Sequence, residues 1–245
     1  PVLALSQVTK SVAEMAKAAR DNVTLSLEQF ETYDEQRTEI INSREEQIDR
    51  FTDNAENYLI ELSHHIETEP ENHQINVLMQ CTPNIERIGD YATNYDELAQ
   101  RMAASDLKFS EGAQKELSII SDAIGEILRL TAEALGTGSE ETARRIEPLE
   151  EVIDGLADTI KDNHVRRLQE GRCSIELGFI LMDILNNYER ISDHCSNVAV
   201  AILELSHDSF DTHEYLNGMK FQSEEFNALF NQFAKKYALV SHTRL

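Results

Sequence analysis

The chain lacks tryptophan, and its 245 residues include only four prolines and nine glycines. Residues that break helices are therefore rare, whereas Glu, Ala, Leu, Ile and Arg, which favour helices, are common. Long hydrophobic runs are absent too. The best candidate, residues 178–182, ends at Asp183 and falls far short of the roughly 20 apolar residues that span a membrane. This composition predicts an all-α protein.

Basic residues are also scarce, because 22 Lys and Arg stand against 45 Asp and Glu and leave a net charge of −23. Binding to nucleic acid or to anionic lipid depends on clustered Lys and Arg that displace counterions. The chain has no basic stripe, so we expect no nucleic-acid partner and no membrane-surface role. The excess of carboxylates fits cation binding, and it fits equally well an acidic surface that keeps the protein soluble.

Cysteine is limited to Cys81, Cys173 and Cys195, which form no C-x-x-C pair and lie within or beside apolar helical stretches. We therefore expect three buried thiols in a reducing compartment. The eight histidines include no zinc-protease motif, and we expect residues 64–65 and His164 on the surface. No nucleophile elbow or phosphate-binding glycine loop occurs, which predicts that the protein is not an enzyme.

Apolar residues recur at steps of three and four, the spacing of bundle helices, most regularly from Leu177 to Leu205. Proline, glycine and capping residues divide the pattern into segments, with Ser139 and Ser174 as predicted N-caps. The pattern predicts seven helices, near 3–31, 35–66, 72–104, 112–135, 140–170, 174–206 and 212–239. The last carries a stripe of Phe and Tyr side chains, which either docks on the parent bundle or forms a homodimer.

The two halves of the chain repeat. Residues 86–94 match residues 189–197, and residues 45–49 match residues 150–154. Loops of variable length between repeated units account for small changes in the offset. We predict two tandem three-helix-bundle repeats related by a pseudo-two-fold, at 1–106 and 107–207, followed by a C-terminal helix within 208–245 that packs on the bundle or extends it.

Each repeat places carboxylates four residues apart, so that they lie on one face of a helix. The pattern Glu-x-x-x-Asp occurs five times, and four of these occurrences lie at equivalent places in the two repeats. Such columns are either solvated or neutralised by a cation, and both interpretations stay open. The four columns are Glu45–Asp49–Asp53, Glu86–Asp90–Asn94, Glu150–Asp154–Asp158 and Glu189–Asp193–Asn197.

Residues around the columns add local expectations. Pro83 and Pro148 are each predicted to kink a helix and to free a backbone carbonyl one turn earlier. Gly89 and Ser192 permit close approach by a neighbouring helix or a ligand. We expect Arg87 and Arg190, which point away from the columns, to anchor carboxylates of neighbouring helices.

The strings Glu86-Arg-Ile-Gly-Asp90 and Glu189-Arg-Ile-Ser-Asp193 resemble the repeated motif of the PhoU family, helical regulators of phosphate uptake. The resemblance extends over most of the chain. It implies iron- or zinc-cluster ligands, and by their oxygen chemistry Mg²⁺ or Ca²⁺ also fit. The implied metal ligands are Glu45, Asp49, Glu86 and Asp90 in the first repeat and Glu150, Asp154, Glu189 and Asp193 in the second.

Two departures refine the resemblance. The stretch 72–79 lacks the proline and arginine of stand-alone PhoU proteins, and Asn84 and Asn187 stand where the family often has Asp. These features look more like the PhoU-like cytoplasmic domain of a bacterial Na⁺/phosphate cotransporter, and a chain that begins at Pro1 without methionine fits that interpretation.

Our first interpretation is accordingly a cytoplasmic regulatory domain involved in phosphate transport or homeostasis. Its partner would be a transmembrane transporter domain, in its own chain or in another protein. If the chain is an excised domain, it would be the tail of an inner-membrane transporter. The alternatives are a stand-alone PhoU-type regulator that binds a transporter and a sensor kinase, and a metal-free helical adaptor.

Overall fold

The computed structural model describes residues 2–206 and 223–239, and every regular element in this part is an α-helix. The predicted all-α class is therefore confirmed. The helices are α1 (Val2–Glu28), α2 (Glu35–Ser63), α3 (Glu69–Ala104), α4 (Glu111–Thr137), α5 (Glu140–Arg144), α6 (Ile146–Gln169), α7 (Ile175–Ser206) and α8 (Glu224–Lys236).

The first three helices pack against one another as one bundle, and α4, α6 and α7 pack as a second bundle with the short α5 beside them. The bundles join where α1 contacts α4 and where α3 contacts α7. One continuous hydrophobic core runs through both bundles. At the α3–α7 contact the fully buried rings of Tyr95 and Tyr188 lie 5.5 Å apart, measured between centroids.

Short polar contacts set the helix ends. The hydroxyl of Ser139 accepts from the backbone N–H of Thr142 at 3.2 Å, and that of Ser174 accepts from Leu177 N–H at 3.2 Å. Both predicted N-caps are therefore present. Gly138, which follows α4, has a φ of 65°, a conformation that glycine adopts without steric cost.

The predicted single helix over 140–170 is wrong, because the chain breaks at Arg145 into α5 and α6. Pro148 then lies in the first turn of α6, where a missing backbone N–H costs no helical hydrogen bond. A proline so close to the break ends one helix and starts the next. By contrast, α3 continues through Pro83.

Two expectations about burial are also wrong. His164 is 4% exposed, because it faces Gly178 of α7, where a Cβ atom added to the glycine would lie 2.7 Å from the ring Nε2 atom. Cys173 is only half-buried, in the turn between α6 and α7. Cys81 and Cys195 are buried as predicted, and all three thiols are free.

The predicted seventh helix corresponds to α8 in its described part, while residues 207–222 lie outside the described residues. Two of its aromatic side chains, Phe233 and Tyr237, are buried against the second bundle. Lys236 forms an ion pair of 2.7 Å with Glu126 of α4. Within the described residues, α8 therefore docks on its own bundle.

Close packing at Gly89 makes a testable prediction. A Cβ at this position would lie 3.3 Å from Ile48 Cδ1 of α2, whereas one at the exposed Gly155 of α6 would meet no atom within 4 Å. We expect Gly89→Leu to destabilise the protein by about 1–3 kcal/mol through overpacking. The matched variant Gly155→Leu should be neutral or stabilising by up to about 1 kcal/mol, because leucine favours helix. Urea unfolding followed by circular dichroism measures both; equal effects would contradict the close α2–α3 packing.

Candidate metal centre

The first-repeat site is built where α2 crosses α3. Helix α2 presents Glu45 and Asp49 one turn apart, and α3 presents Asp90 opposite them. One carboxylate oxygen from each residue lies within 4.8 Å of the other two, and all three side chains are half-buried. Because carboxylates carry like charges, a proton or a bound cation would stabilise this convergence.

The pKa values reflect that repulsion. Burial, followed by the neighbouring Asp49 and Asp90 carboxylates, raises the pKa of Glu45 to about 7. Burial and Asp49 also raise the pKa of Asp90, although Arg87 partly offsets the rise. The Oδ1 atom of Asp49 is buried and receives no hydrogen bond. Such a set of oxygen donors fits a hard divalent cation or iron, and carboxylates also bind zinc.

Glu86, the fourth ligand implied for this repeat, faces the same cluster from α3. Burial and the charges of Asp49 and Asp90 raise its pKa, and Glu56 and Asp53 of α2 add to the rise. Its oxygens lie outside the compact group of three. The structure therefore brings three of the four implied residues together and places the fourth beside them.

The second-repeat site is less compact. Burial, then Asp193 and Glu189 of α7, raises the pKa of Asp154 to about 6. The Oδ1 atom of Asp154 is buried and receives no hydrogen bond. Glu150, implied as a fourth ligand, is buried in a group with Glu147 and Glu151 along α6 instead.

The second site contains a lysine, and this makes it chemically different from the first site. Lys161 of α6 forms an ion pair with Glu189, with a distance of 2.8 Å between Nζ and Oε2. At the offset of 105 that relates residue 45 to residue 150, the first-repeat residue equivalent to Lys161 is Glu56. The second site therefore contains a protein cation where the first has another carboxylate. The alignment of the two halves carries this signal, but sequence reasoning missed it because Lys161 lies outside the motif.

The α3–α7 contact lies between the two motifs. Asn84 Oδ1 accepts hydrogen bonds from His194 Nδ1 at 2.9 Å and from Asn197 Nδ2 at 3.1 Å.

The expectation for Arg87 and Arg190 is wrong: both are exposed, and no ion pair within 4.0 Å involves them in the described part of the chain. Burial raises the pKa values of Asp90 and Asp193, and the charges of Arg87 and Arg190 offset part of that rise through space.

An open groove of about 890 Å³ lies over the second site, between α3, α6 and α7. Asp154, Glu189 and Asp193 form part of its lining, together with Arg101 and Arg190. The groove makes the second set of carboxylates accessible to solvent and to ligands.

The family of the chain follows from its match to known domains. The PhoU domain matches it twice, at residues 12–99 and 117–202. The chain belongs to the PhoU family. Proteins of this family are regulatory and are not enzymes, in agreement with the expectation from sequence.

Two curated relatives share 27% sequence identity with the chain. One is the phosphate-specific transport system accessory protein PhoU homolog 1 of Thermotoga maritima, matched over 150 residues, 60% of this chain and 62% of the relative. The other is an uncharacterised protein of Methanocaldococcus jannaschii, matched over 134 residues, 54% of this chain and 43% of the relative. The chain thus matches less than two thirds of either relative.

Two crystal structures show the same fold. PhoU from Pseudomonas aeruginosa superposes with a TM-score of 0.78 at 17% identity, over 84% of this chain and 99% of that one. The regulatory protein PhoU from Streptococcus pneumoniae gives a TM-score of 0.76 at 16% identity, over 84% and 97% of the two chains. At this identity the likeness establishes the fold alone.

These comparisons favour a PhoU-type regulator over the cotransporter domain of our first interpretation. Among the described helices, none combines the length and apolar character that crossing a bilayer requires.

The raised pKa of Glu45 predicts a pH effect on the metal-free protein. A carboxyl whose folded-state pKa is about 7 instead of 4.5 favours folding at low pH, and this contribution is lost as the pH rises towards and through 7. Glu45→Gln removes the charge, so we expect it to raise Tm at pH 8 in EDTA and to leave Tm nearly unchanged at pH 5. After allowance for solvent screening the gain is on the order of 1 kcal/mol, or about 2–4 °C.

Differential scanning calorimetry at both pH values measures this difference. Glu39→Gln is the matched control, because it removes the same charge from an exposed position of α2. An equal gain in both variants would mean that general surface charge, not the cluster, causes the effect.

Proposed function

We propose that this chain is a stand-alone PhoU-type regulator of phosphate transport that acts in the cytoplasm by binding a transporter component, with a sensor kinase as a second partner. The observation that carries the proposal is the double match to the PhoU domain, at 12–99 and 117–202. The name of the Thermotoga maritima relative, a transport-system accessory protein, supports the transporter as partner.

A second candidate remains the cytoplasmic domain of a Na⁺/phosphate cotransporter. The asparagines at 84 and 187 favour it. In the structure Asn84 accepts hydrogen bonds from α7 at the contact between the bundles. Sequencing the gene upstream of the codon for Pro1 separates the two candidates, because several long apolar spans would identify a transporter tail.

We further propose that the first-repeat carboxylates bind a metal ion, with Glu45, Asp49 and Asp90 as ligands and Glu86 as an adjoining carboxylate. Three converging oxygens and the buried, unbonded Asp49 Oδ1 support this proposal. Iron and zinc follow from the family resemblance, and Mg²⁺, Ca²⁺ and Mn²⁺ share the preference for oxygen. The ion would remove the repulsion between α2 and α3 and so stiffen their contact.

The second site, formed by Asp154, Glu189 and Asp193 with Glu150 nearby on α6, should bind more weakly. Lys161 already compensates Glu189 at 2.8 Å, and an incoming cation would have to displace that ammonium group or tolerate its repulsion. In the first repeat Glu56 acts in the opposite direction. The two repeats therefore offer one strong site and one weak site.

Substituting Glu56 by lysine and Lys161 by glutamate tests the predicted difference in metal affinity between the two sites. We expect Glu56→Lys to weaken Mn²⁺ binding at the first site, and Lys161→Glu to strengthen binding at the second, each by about 10- to 100-fold, as for residues beside metal ligands. Isothermal titration of the metal-free protein with Mn²⁺, and separately with Zn²⁺, measures both constants.

Glu39→Lys, which makes the same charge change at an exposed position of α2, should leave both constants within about twofold, because its charge is screened. If Asp49→Asn leaves binding of both ions unchanged, the metal proposal fails. The metal-free adaptor would then be the better description.

A cellular assay tests the regulatory function itself. Cells that lack the protein should take up radiolabelled phosphate at a rate that no longer falls when external phosphate rises. The wild-type gene should restore the response, and Asp49→Asn with Asp90→Asn should restore it only in part, because the α2–α3 contact loses its ion. Glu39→Gln is expected to restore it fully. A normal response in the deletion strain would refute the regulatory role.

A further inference from the structure

The beginning of α7 exposes an apolar stripe. Ile175 is 71% exposed, Phe179 is 67% exposed and Met182 is 38% exposed. Their spacing of four and three residues places them on one face of the helix. The opposite face of the same turns is buried through Leu177 and Leu181, so the core does not need the stripe.

Helix α6 extends this surface. The ring of His164 packs against Gly178 so closely that α6 and α7 touch at this level. Val165 and Phe179 follow these two residues along antiparallel helices, and ideal helix geometry turns both towards the same side of that contact. Val165 is 51% exposed. Together Ile175, Phe179, Met182 and Val165 form what we call the α7 stripe. Four exposed apolar side chains grouped on one side of two neighbouring helices are typical of an interaction site.

The first repeat keeps apolar residues at two of the four stripe positions, with Met79 and Ile60 as counterparts of Met182 and Val165, and differs at the other two. At the offset of 103 that relates the two motifs, the counterparts of Ile175 and Phe179 are Asn72 and Asn76. The same helical bundle thus forms with amides at these positions. Folding therefore does not demand apolar side chains at positions 175 and 179, which is consistent with a role in recognition.

The charged residues around the α7 stripe indicate what kind of partner would fit it. Its border carries the exposed carboxylates of Asp158 and Asp162 on α6 and of Glu176 and Asp183 on α7. Arg166 of α6 is an exposed cation near the stripe, whereas Arg172 before α7 pairs with Glu170 and the ammonium group of Lys161 pairs with Glu189. The border is therefore acidic, on a chain whose net charge is −23.

This charge argues against two other occupants. A second copy seated stripe to stripe would bring two acidic borders together, and an anionic bilayer would be repelled by the same carboxylates. An amphipathic helix with an apolar face and a Lys- and Arg-rich border would complement both the apolar stripe and its acidic border.

We propose that the α7 stripe is the docking site for a cationic amphipathic helix of a partner protein. The inference deepens the proposed regulatory function, on which it rests for the existence of a partner. It does not depend on metal binding at either carboxylate site.

A model peptide tests the recognition chemistry. The probe is a fluorescent amphipathic helix of leucine and lysine, titrated with the whole chain in EDTA and followed by fluorescence anisotropy. The double variant Ile175→Asn with Phe179→Asn gives the second repeat the residues of the first. We expect it to bind the peptide at least about tenfold more weakly, as for the loss of central apolar anchors.

Ile60→Asn is the matched control, because Ile60 is the first-repeat counterpart of Val165 and is 47% exposed. It should bind like the wild type. Binding should also weaken as salt rises, and a leucine and glutamate peptide should not bind. Since the substituted side chains are exposed, circular dichroism should show unchanged helicity.

Several results would overturn the proposal. Equal binding of the peptide by the double variant and the wild type would show that the stripe is not the site. A dimer in sedimentation equilibrium that the double variant abolishes would assign the stripe to a second copy. Binding to vesicles containing phosphatidylglycerol, lost in the double variant, would assign it to lipid. The cellular assay measures the phosphate response independently of peptide binding. A protein that fails as a regulator can therefore be distinguished from one whose α7 stripe does not bind the peptide.

Discussion

The apolar packing of α2 on α3 is the constraint on which the first candidate site depends. Ile48 fills the space over Gly89, and these two residues directly precede Asp49 and Asp90 of the carboxylate columns. Burying a side chain such as Ile48 contributes about 1.5–3 kcal/mol. Keeping Glu45 charged in the cluster costs less, on the order of 1 kcal/mol after solvent screening. The core therefore holds Glu45, Asp49 and Asp90 together against their own repulsion. The three carboxylates lie together as a consequence of this packing, and a bound cation or proton would reduce the repulsion between them.

The duplicated halves share this packing but have diverged in chemistry. Lys161 neutralises a carboxylate in the second repeat, while its counterpart Glu56 adds one in the first. The repeats also differ at the start of their third helices. Phe179 of the second repeat is apolar and exposed, whereas its counterpart in the first repeat, Asn76, is polar. This divergence is the basis of our proposals that the first repeat binds a cation and the second binds a partner protein. A family match by itself would assign the same role to both.

Much of the fold was predictable from local signals. Helical periodicity, the scarcity of glycine and proline, and the caps at Ser139 and Ser174 act within a few residues, so the sequence reveals them directly. The break at Arg145 was not predictable in the same way, because a proline such as Pro148 is compatible with either a kink or a new helix start. Burial of His164 depended on a glycine of another helix, which no local pattern reports.

Alone, the sequence determined the helical class, the duplication and the identity of the carboxylate columns, because each arises from spacing along the chain. The tertiary structure decided which carboxylates meet. It brought Asp90 to Glu45 and Asp49, left Glu86 beside them, and gave Lys161 to the second site. Such distances depend on how two helices cross and on which residue faces the gap, and these are settled only when the whole core packs.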